Sequence, residues 1–182
     1  MRSSRFDLTA PIAKLWPFLI VRRDTMTHTA DELIHSLNLQ PHVEGGYYAP
    51  SFASDTAFDE QRALWTSIYF LLKCGEVSHF HRLTADEMWY FHGGQSMTIS
   101  MIHPDGRLEQ VQLGMDLAAG ERPQTLVPKG AIFGSAMNNP GYSLVGCMVS
   151  PGFTFGDFEL FEREDLLARY PQHRTVIEKL TR

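Results

Sequence analysis

Cysteine is scarce in this chain: Cys74 and Cys147 are the only two among 182 residues. They lie far apart and in neither a metal-binding nor a redox spacing, so they read as reduced thiols of a cytoplasmic protein. Cationic runs are missing as well. The net charge is −5 and no basic stretch stands out, which argues against a nucleic-acid partner. No apolar run reaches the ~20 residues that a membrane-spanning helix needs. The longest early one, Leu15 to Val21, is interrupted by Pro17 and is followed by no small-residue cleavage site. A secretory leader is therefore not expected there. What remains is a chain with 43% hydrophobic and 20% charged residues, long enough for one domain with a sizeable core. Residues 1–25 are expected to be an extension outside that domain, and residues 26–182 to be the domain itself.

Long helical patterns are also few. "THTADELIHSLNL" opens the domain with Thr29-x-x-Glu32, a capping box, and with Leu33, Ile34 and Leu37 on one face; it predicts one short helix ending near Asn38. From Trp65 to Val149 the chain changes to short runs rich in β-branched and aromatic residues, separated by turn signals. In "SMTISMI", Met97, Ile99 and Met101 share one face while Ser96, Thr98 and Ser100 share the other, as strand alternation requires. About nine such strands with no helices between them exclude βαβ units and predict an all-β, antiparallel jelly-roll barrel. After Pro151 the periodicity turns helical again. Leu166, Leu167 and Tyr170, then Val176, Ile177 and Leu180, suit two short helices separated at Pro171 and packed outside the barrel.

Chemistry concentrates in "GEVSHFHRLTADEMWYFHGG", Gly75 to Gly94. On a regular strand His79 and His81 share a face, and Glu87 returns on the paired strand across "TADE". Trp89 and Phe91 share the face of Glu87, which marks that face as interior. Buried imidazole and carboxyl groups need partners, so the cluster is expected to line a pocket. Two histidines and one carboxylate on a single cavity would also suit a divalent transition metal with open positions; His79, His81 and Glu87 are the set that would hold it.

These residues resemble the first motif of the cupin superfamily, G-x5-H-x-H-x3/4-E-x6-G. Gly75, His81, Glu87 and Gly94 fall in frame, and Leu83 stands at the second histidine position. In the second motif, G-x5-P-x-G-x2-H-x3-N, Pro128 and Gly130 match, but Phe133 replaces the histidine and Met137 the asparagine. Four blocks in order, "LNLQPHVEGGYY", "SHFHRLTADEMWYFHGG", "LGMDLAAGERPQTLVPKGAIFGS" and "YSLVGCMVSPGFTFGDFEL", are similar to the small uncharacterised cupins grouped as cupin domain family 5. The resemblance implies a double-stranded β-helix with short flanking helices, a homodimer, and a likeness to sugar-nucleotide epimerases. With Leu83 and Phe133 in place of two ligands, two remain, fewer than a stable protein metal site supplies. The expectation is a cupin pocket that works without a metal or other cofactor.

The expected activity is acid–base epimerisation or isomerisation of a sugar or other carbonyl compound. His81 is read as the base, Glu87 as its orienting partner, and Tyr48 or Tyr90 as the group returning a proton. His42 and Glu44, beside Gly45-Gly46, are expected to cross the barrel mouth and line the pocket. Trp89, Gln124, Phe133 and Ser135 complete the expected ligand-binding set, while Cys147 reads as core packing. A binding module with the same pocket and no turnover is the alternative from another class.

Overall fold

Residues 28–182 are described by a computed structural model; the proposed N-terminal extension, residues 1–25, lies outside them. Helix α1 (Ala30–Ser36) begins as its sequence dictates. The Thr29 hydroxyl accepts from Glu32 N at 3.2 Å and the Glu32 carboxylate accepts from Thr29 N at 2.7 Å, so each satisfies an otherwise free donor of the first turn. Eleven strands follow among the described residues: β1 (Gln40–Pro41), β2 (Tyr47–Ala53), β3 (Thr66–Lys73), β4 (Val77–Leu83), β5 (Asp86–Gly94), β6 (Met97–Ile102), β7 (Leu108–Leu113), β8 (Gln124–Val127), β9 (Ile132–Met137), β10 (Tyr142–Ser150) and β11 (Phe158–Leu160). Helices α2 (Arg163–Arg169) and α3 (Arg174–Leu180) close the chain on either side of Pro171.

The strands form two sheets, β1-β2-β3-β10-β5-β8 and β11-β4-β9-β6-β7, with antiparallel pairing throughout. Their inner faces meet in one core that includes Phe70, Trp89, Met97, Ile99, Met101, Phe133 and Val145. Strand β6 shows how the pattern selects this arrangement. Met97, Ile99 and Met101 are buried between the sheets. Thr98 and Ser100 lie on the outer face, hydrogen-bonded to Gln112 and Gln110 of β7. Ile102, on that same outer face, is apolar because α2 and α3 cover it, together with Phe80, Ile132, Leu166, Ile177 and Leu180. Helix α1 covers one end of the opposite sheet through Leu33 and Ile34 against Leu71 and Tyr142. No helix among the described residues is long and apolar enough to cross a membrane.

Candidate active site

The pocket opens inside the barrel, between the two sheets. About 60 Å³ is open to the centres of water molecules, room for a handful of waters at ~10–15 Å³ each. Its polar groups are His42, Glu44, Thr66, His81, Glu87 and Cys147; Tyr48, Ile68, Phe70, Leu83, Trp89, Val149, Phe153 and Phe158 supply the rest of the wall.

Two irregularities of the backbone bring the polar groups together. The first is a bulge in β4. Ser78 faces Ser135 of β9, and the next aligned pair is His81 with Phe133, so His79 and Phe80 together oppose Gly134. A side chain there would meet Ser78 O at 2.6 Å, which is why this position is glycine. The extra residue breaks the alternation expected of a regular strand. Ser78 and His81 point inward, while Phe80 packs under α2 and α3. His79 does not share the face of His81: it lies beside Leu180 and Arg182, where burial and the Arg182 charge hold its pKa below the ordinary value.

The second irregularity is the turn from His42 to Gly46, closed by His42 N to Gly46 O at 3.0 Å and Gly45 N to His42 O at 3.0 Å. Gly45 has φ +104°, and a Cβ there would lie 2.1 Å from Val77 O; Gly46 has φ +68° and presses on Phe70 and Leu71. Only glycine allows this backbone to lie so close to β3 and β4. The turn thereby carries Glu44 into the barrel, 6% exposed.

Glu44 is the hub of the polar cluster. Its Oε1 accepts from Ser78 Oγ at 2.9 Å, and its Oε2 lies 3.3 Å from His81 Nε2 and 3.4 Å from His42 Nδ1. Burial alone would raise its pKa, but the charge of His81, the contacts of His42 and the Ser78 hydroxyl outweigh it, and the carboxyl is held below its ordinary value. His81 Nδ1 lies 2.7 Å from the carbonyl oxygen of His79. A carbonyl only accepts, so this nitrogen carries a proton and Nε2 is the one facing Glu44. The ring is clamped between Phe133, 4.0 Å away between centroids, and Phe158, stacked at 5.2 Å.

Glu87 is the opposite case. It is 6% exposed, and burial and the Glu44 charge push its pKa up to about 8. The Trp89 indole N–H and the Cys147 thiol, close enough to the carboxyl to favour its charged form but outside hydrogen-bond geometry, act against that shift. Neither completes the site, because Glu87 Oε2 and Trp89 Nε1 both lack a hydrogen-bond partner. Cys147 itself is buried, and burial with the two carboxyls drives its thiol pKa well up.

A segment after β10 closes the pocket. Phe153 N donates to Thr66 Oγ1 at 2.9 Å, the Thr154 hydroxyl donates to Asp157 at 2.7 Å and Thr84 also donates to Asp157. These ties hold Phe153 and Phe158 over the interior.

Several expected residues are placed differently. Glu44, not Glu87, is the carboxyl that pairs with His81. Gln124 is exposed on the edge strand opposite Tyr90, because strand alternation turns Thr125 and Val127 inward instead. Tyr90 faces away from the pocket for the same reason, and Tyr48 is the tyrosine that lines it, edge-on to His42 at 4.6 Å. Ser135 is buried on the inner face, but its hydroxyl is unpartnered in the core and does not line the pocket. Phe133 backs the His81 ring rather than the open space. Cys147, expected only to pack, lines the pocket. Sequence reasoning also missed Ser78, hidden by the bulge, and Phe153 and Phe158, whose position depends on long-range ties. Gly134 inside a strand run was the available signal for the bulge.

A two-sheet antiparallel barrel with a cluster of buried carboxyls and imidazoles in its interior defines a small jelly-roll protein with an enclosed polar pocket. Residues 31–161 match the family described as Cupin superfamily (DUF985), and the chain belongs to it. A crystal structure of a Shewanella oneidensis protein is 70% identical, with TM-score 0.84, and the match covers 85% of this chain and 98% of that one. A hypothetical protein from Leishmania major is 38% identical, with TM-score 0.80 and coverage of 85% and 99%. An uncharacterised protein of Saccharomyces cerevisiae is 26% identical over 156 residues, 75% of this chain and 77% of its own.

The residues present do not fit the metal of other cupins. Leu83 and Phe133 hold two ligand positions, His79 is turned away, and both nitrogens of His81 are engaged. Among the described residues no group of three or more His, Cys, Asp or Glu is disposed to hold a metal ion.

Proposed function

We propose that this cupin binds a small molecule in its barrel pocket and moves a proton on it without a metal, as an isomerase or epimerase acting beside a carbonyl group. The observation that supports it most is the opposed behaviour of two buried carboxyls in one apolar pocket: Glu44 is held below its ordinary pKa, and Glu87 is pushed up to about 8. Groups whose environments separate their protonation in this way divide into base and acid. Glu44 takes a proton from the carbon next to the carbonyl. The C–H electron pair forms the C=C bond of an enol, and Glu87 gives its proton to the oxygen. Return of a proton to carbon, by Glu44 on the same face or by Tyr48 on the other, completes the exchange, and the oxygen returns its proton to Glu87. His81 positions Glu44 and keeps it ionised.

The clamped His81 ring favours a second reading, binding without turnover. Both are tested by deuterium incorporation from D₂O into hydroxyacetone and cyclopentanone, followed by NMR. Exchange well above buffer, falling ~10²-fold or more in Glu44→Gln, is expected of the enzyme. Saturable binding with no exchange would establish the binding module instead.

We also propose that the chain works as a homodimer. Leu126, Met88, Met148, Ser67 and Phe52 line up across β8, β5, β10, β3 and β2 on the outer face of the six-stranded sheet. Leu126 is 46% and Phe52 69% exposed. This row, apolar except for Ser67 and exposed at both ends, supports a self-complementary contact between two copies.

A further inference from the structure

Two polar atoms on the pocket wall have no partner, and they occupy neighbouring inward positions of one strand. Glu87 and Trp89 are two apart on β5, so their side chains share a face; they are 6% and 1% exposed, and both line the pocket. Glu87 Oε2 and Trp89 Nε1 are each buried without a hydrogen bond. Buried polar atoms of a folded protein are satisfied as a rule, and exceptions in a cavity point to a missing partner. An indole N–H only donates, and a protonated carboxyl also offers an O–H. An oxygen with two free lone pairs satisfies both donors at once, and because Glu44 is already engaged by Ser78, His81 and His42, a carbonyl oxygen, which brings no hydrogen to place, suits the position better than a hydroxyl.

The rest of the wall narrows the choice. Ile68, Phe70, Leu83 and Phe153 offer only carbon to the ligand, and no lysine or arginine lies among the lining residues described. A phosphate or carboxylate would enter beside Glu44, with the imidazole of His81 already paired to that carboxylate, which costs far more than entry of a neutral group. About 60 Å³ open to water centres does not hold a nucleotide.

We propose that Trp89 Nε1–H and the Glu87 carboxyl O–H together hold the single oxygen of a small uncharged ketone or aldehyde, and that nucleotide-linked sugars are not ligands of this pocket. The inference rests on the acid–base reading and narrows its substrate class. A donor pair aimed at this oxygen also stabilises the negative charge that it gains as the neighbouring proton leaves. The titratable groups facing Glu87 around the cavity are Glu44 and His42 from the turn, Tyr48 from β2, His81 from β4 and Cys147 from β10.

Cyclopentanone labelled with ¹³C at the carbonyl is the probe. Its carbonyl resonance is expected to move downfield on saturable binding to the wild-type protein. Trp89→Phe, which keeps the packing and removes the donor, should bind it roughly tenfold more weakly with a smaller displacement. In the wild type the displacement should fade as pH rises through about 8, where Glu87 ionises. Glu87→Gln retains an N–H donor and should bind with no break at that pH. Uridine diphosphate should not displace the ketone. No saturable displacement, an unchanged one in Trp89→Phe, a persisting pH break in Glu87→Gln, or displacement by uridine diphosphate would each overturn the inference. A displaced carbonyl on a ketone that exchanges no α-proton leaves the donor pair standing and defeats the acid–base reading; exchange with no displacement does the reverse.

Discussion

Replacing Glu87 by glutamine should make the protein more stable as pH rises, and the size of the gain follows from the pocket. The wild-type carboxyl titrates near 4.5 when unperturbed and near 8 in the folded chain. Between those values the folded state binds a proton that the unfolded state has released. Stability therefore falls with increasing pH across this window, is least affected below pH 4.5 and has suffered its full loss above pH 8. At ~1.4 kcal/mol per pH unit the loss approaches ~5 kcal/mol, and ~3–5 kcal/mol is a realistic span once the pocket relaxes. Glutamine keeps the shape and cannot ionise, so the variant escapes this slope. Urea denaturation of both proteins at pH 5, 6, 7, 8 and 9 is the assay. With m near 1–3 kcal/mol/M, a difference of that size moves the midpoint by ~1–5 M between the ends of the series. Midpoint differences that stay flat from pH 5 to 8 would refute the assignment of Glu87 as a neutral buried acid.

Phe133→Ala should cost ~3–5 kcal/mol, as for other buried phenylalanines, and should loosen the His81 ring that packs on it; thermal unfolding and the His81 ring resonances check both effects. Protein purified without chelator should carry no stoichiometric transition metal by elemental analysis, whereas one equivalent, lost in His42→Ala or His81→Ala, would count against metal-free chemistry. Sedimentation at micromolar concentration should give twice the chain mass of 20.7 kDa, and Met148→Glu should reduce it to that of one chain. A wild-type protein already sedimenting near the single-chain mass would contradict the proposed pairing.

The barrel was legible in the sequence because strand alternation and turn signals are local. Met97, Ile99 and Met101 declare their face without help from the rest of the fold, and Thr29 with Glu32 marks the first helix in four residues. Pro171 separates the terminal helices for an equally local reason. The pocket was legible in part. Trp89 on the face of Glu87 identified an interior surface, and Gly45-Gly46 marked a turn able to bring His42 and Glu44 inward. The pairing inside the pocket was not legible, since one extra residue in β4 reverses the facing of His79 relative to His81. A two-residue periodicity extrapolated through that bulge assembles His79, His81 and Glu87, while the folded chain assembles His42, Glu44 and His81. Gln124 was expected in the pocket, but the alternation of β8 turns Thr125 and Val127 inward and leaves it outside. Phe153 and Phe158 carry no local mark of a pocket role, because ties from distant Thr66 and Thr84 place them.

Selective ¹³C labelling of glutamate side chains, with carboxyl resonances followed by NMR from pH 4 to 10, tests the central claim most directly. Glu44 should show the resonance of a carboxylate at neutral pH. Glu87 should show that of a neutral carboxyl at pH 7 and titrate near 8, with assignments fixed by Glu44→Gln and Glu87→Gln. Two carboxylates at pH 7, or two groups titrating together, would contradict it.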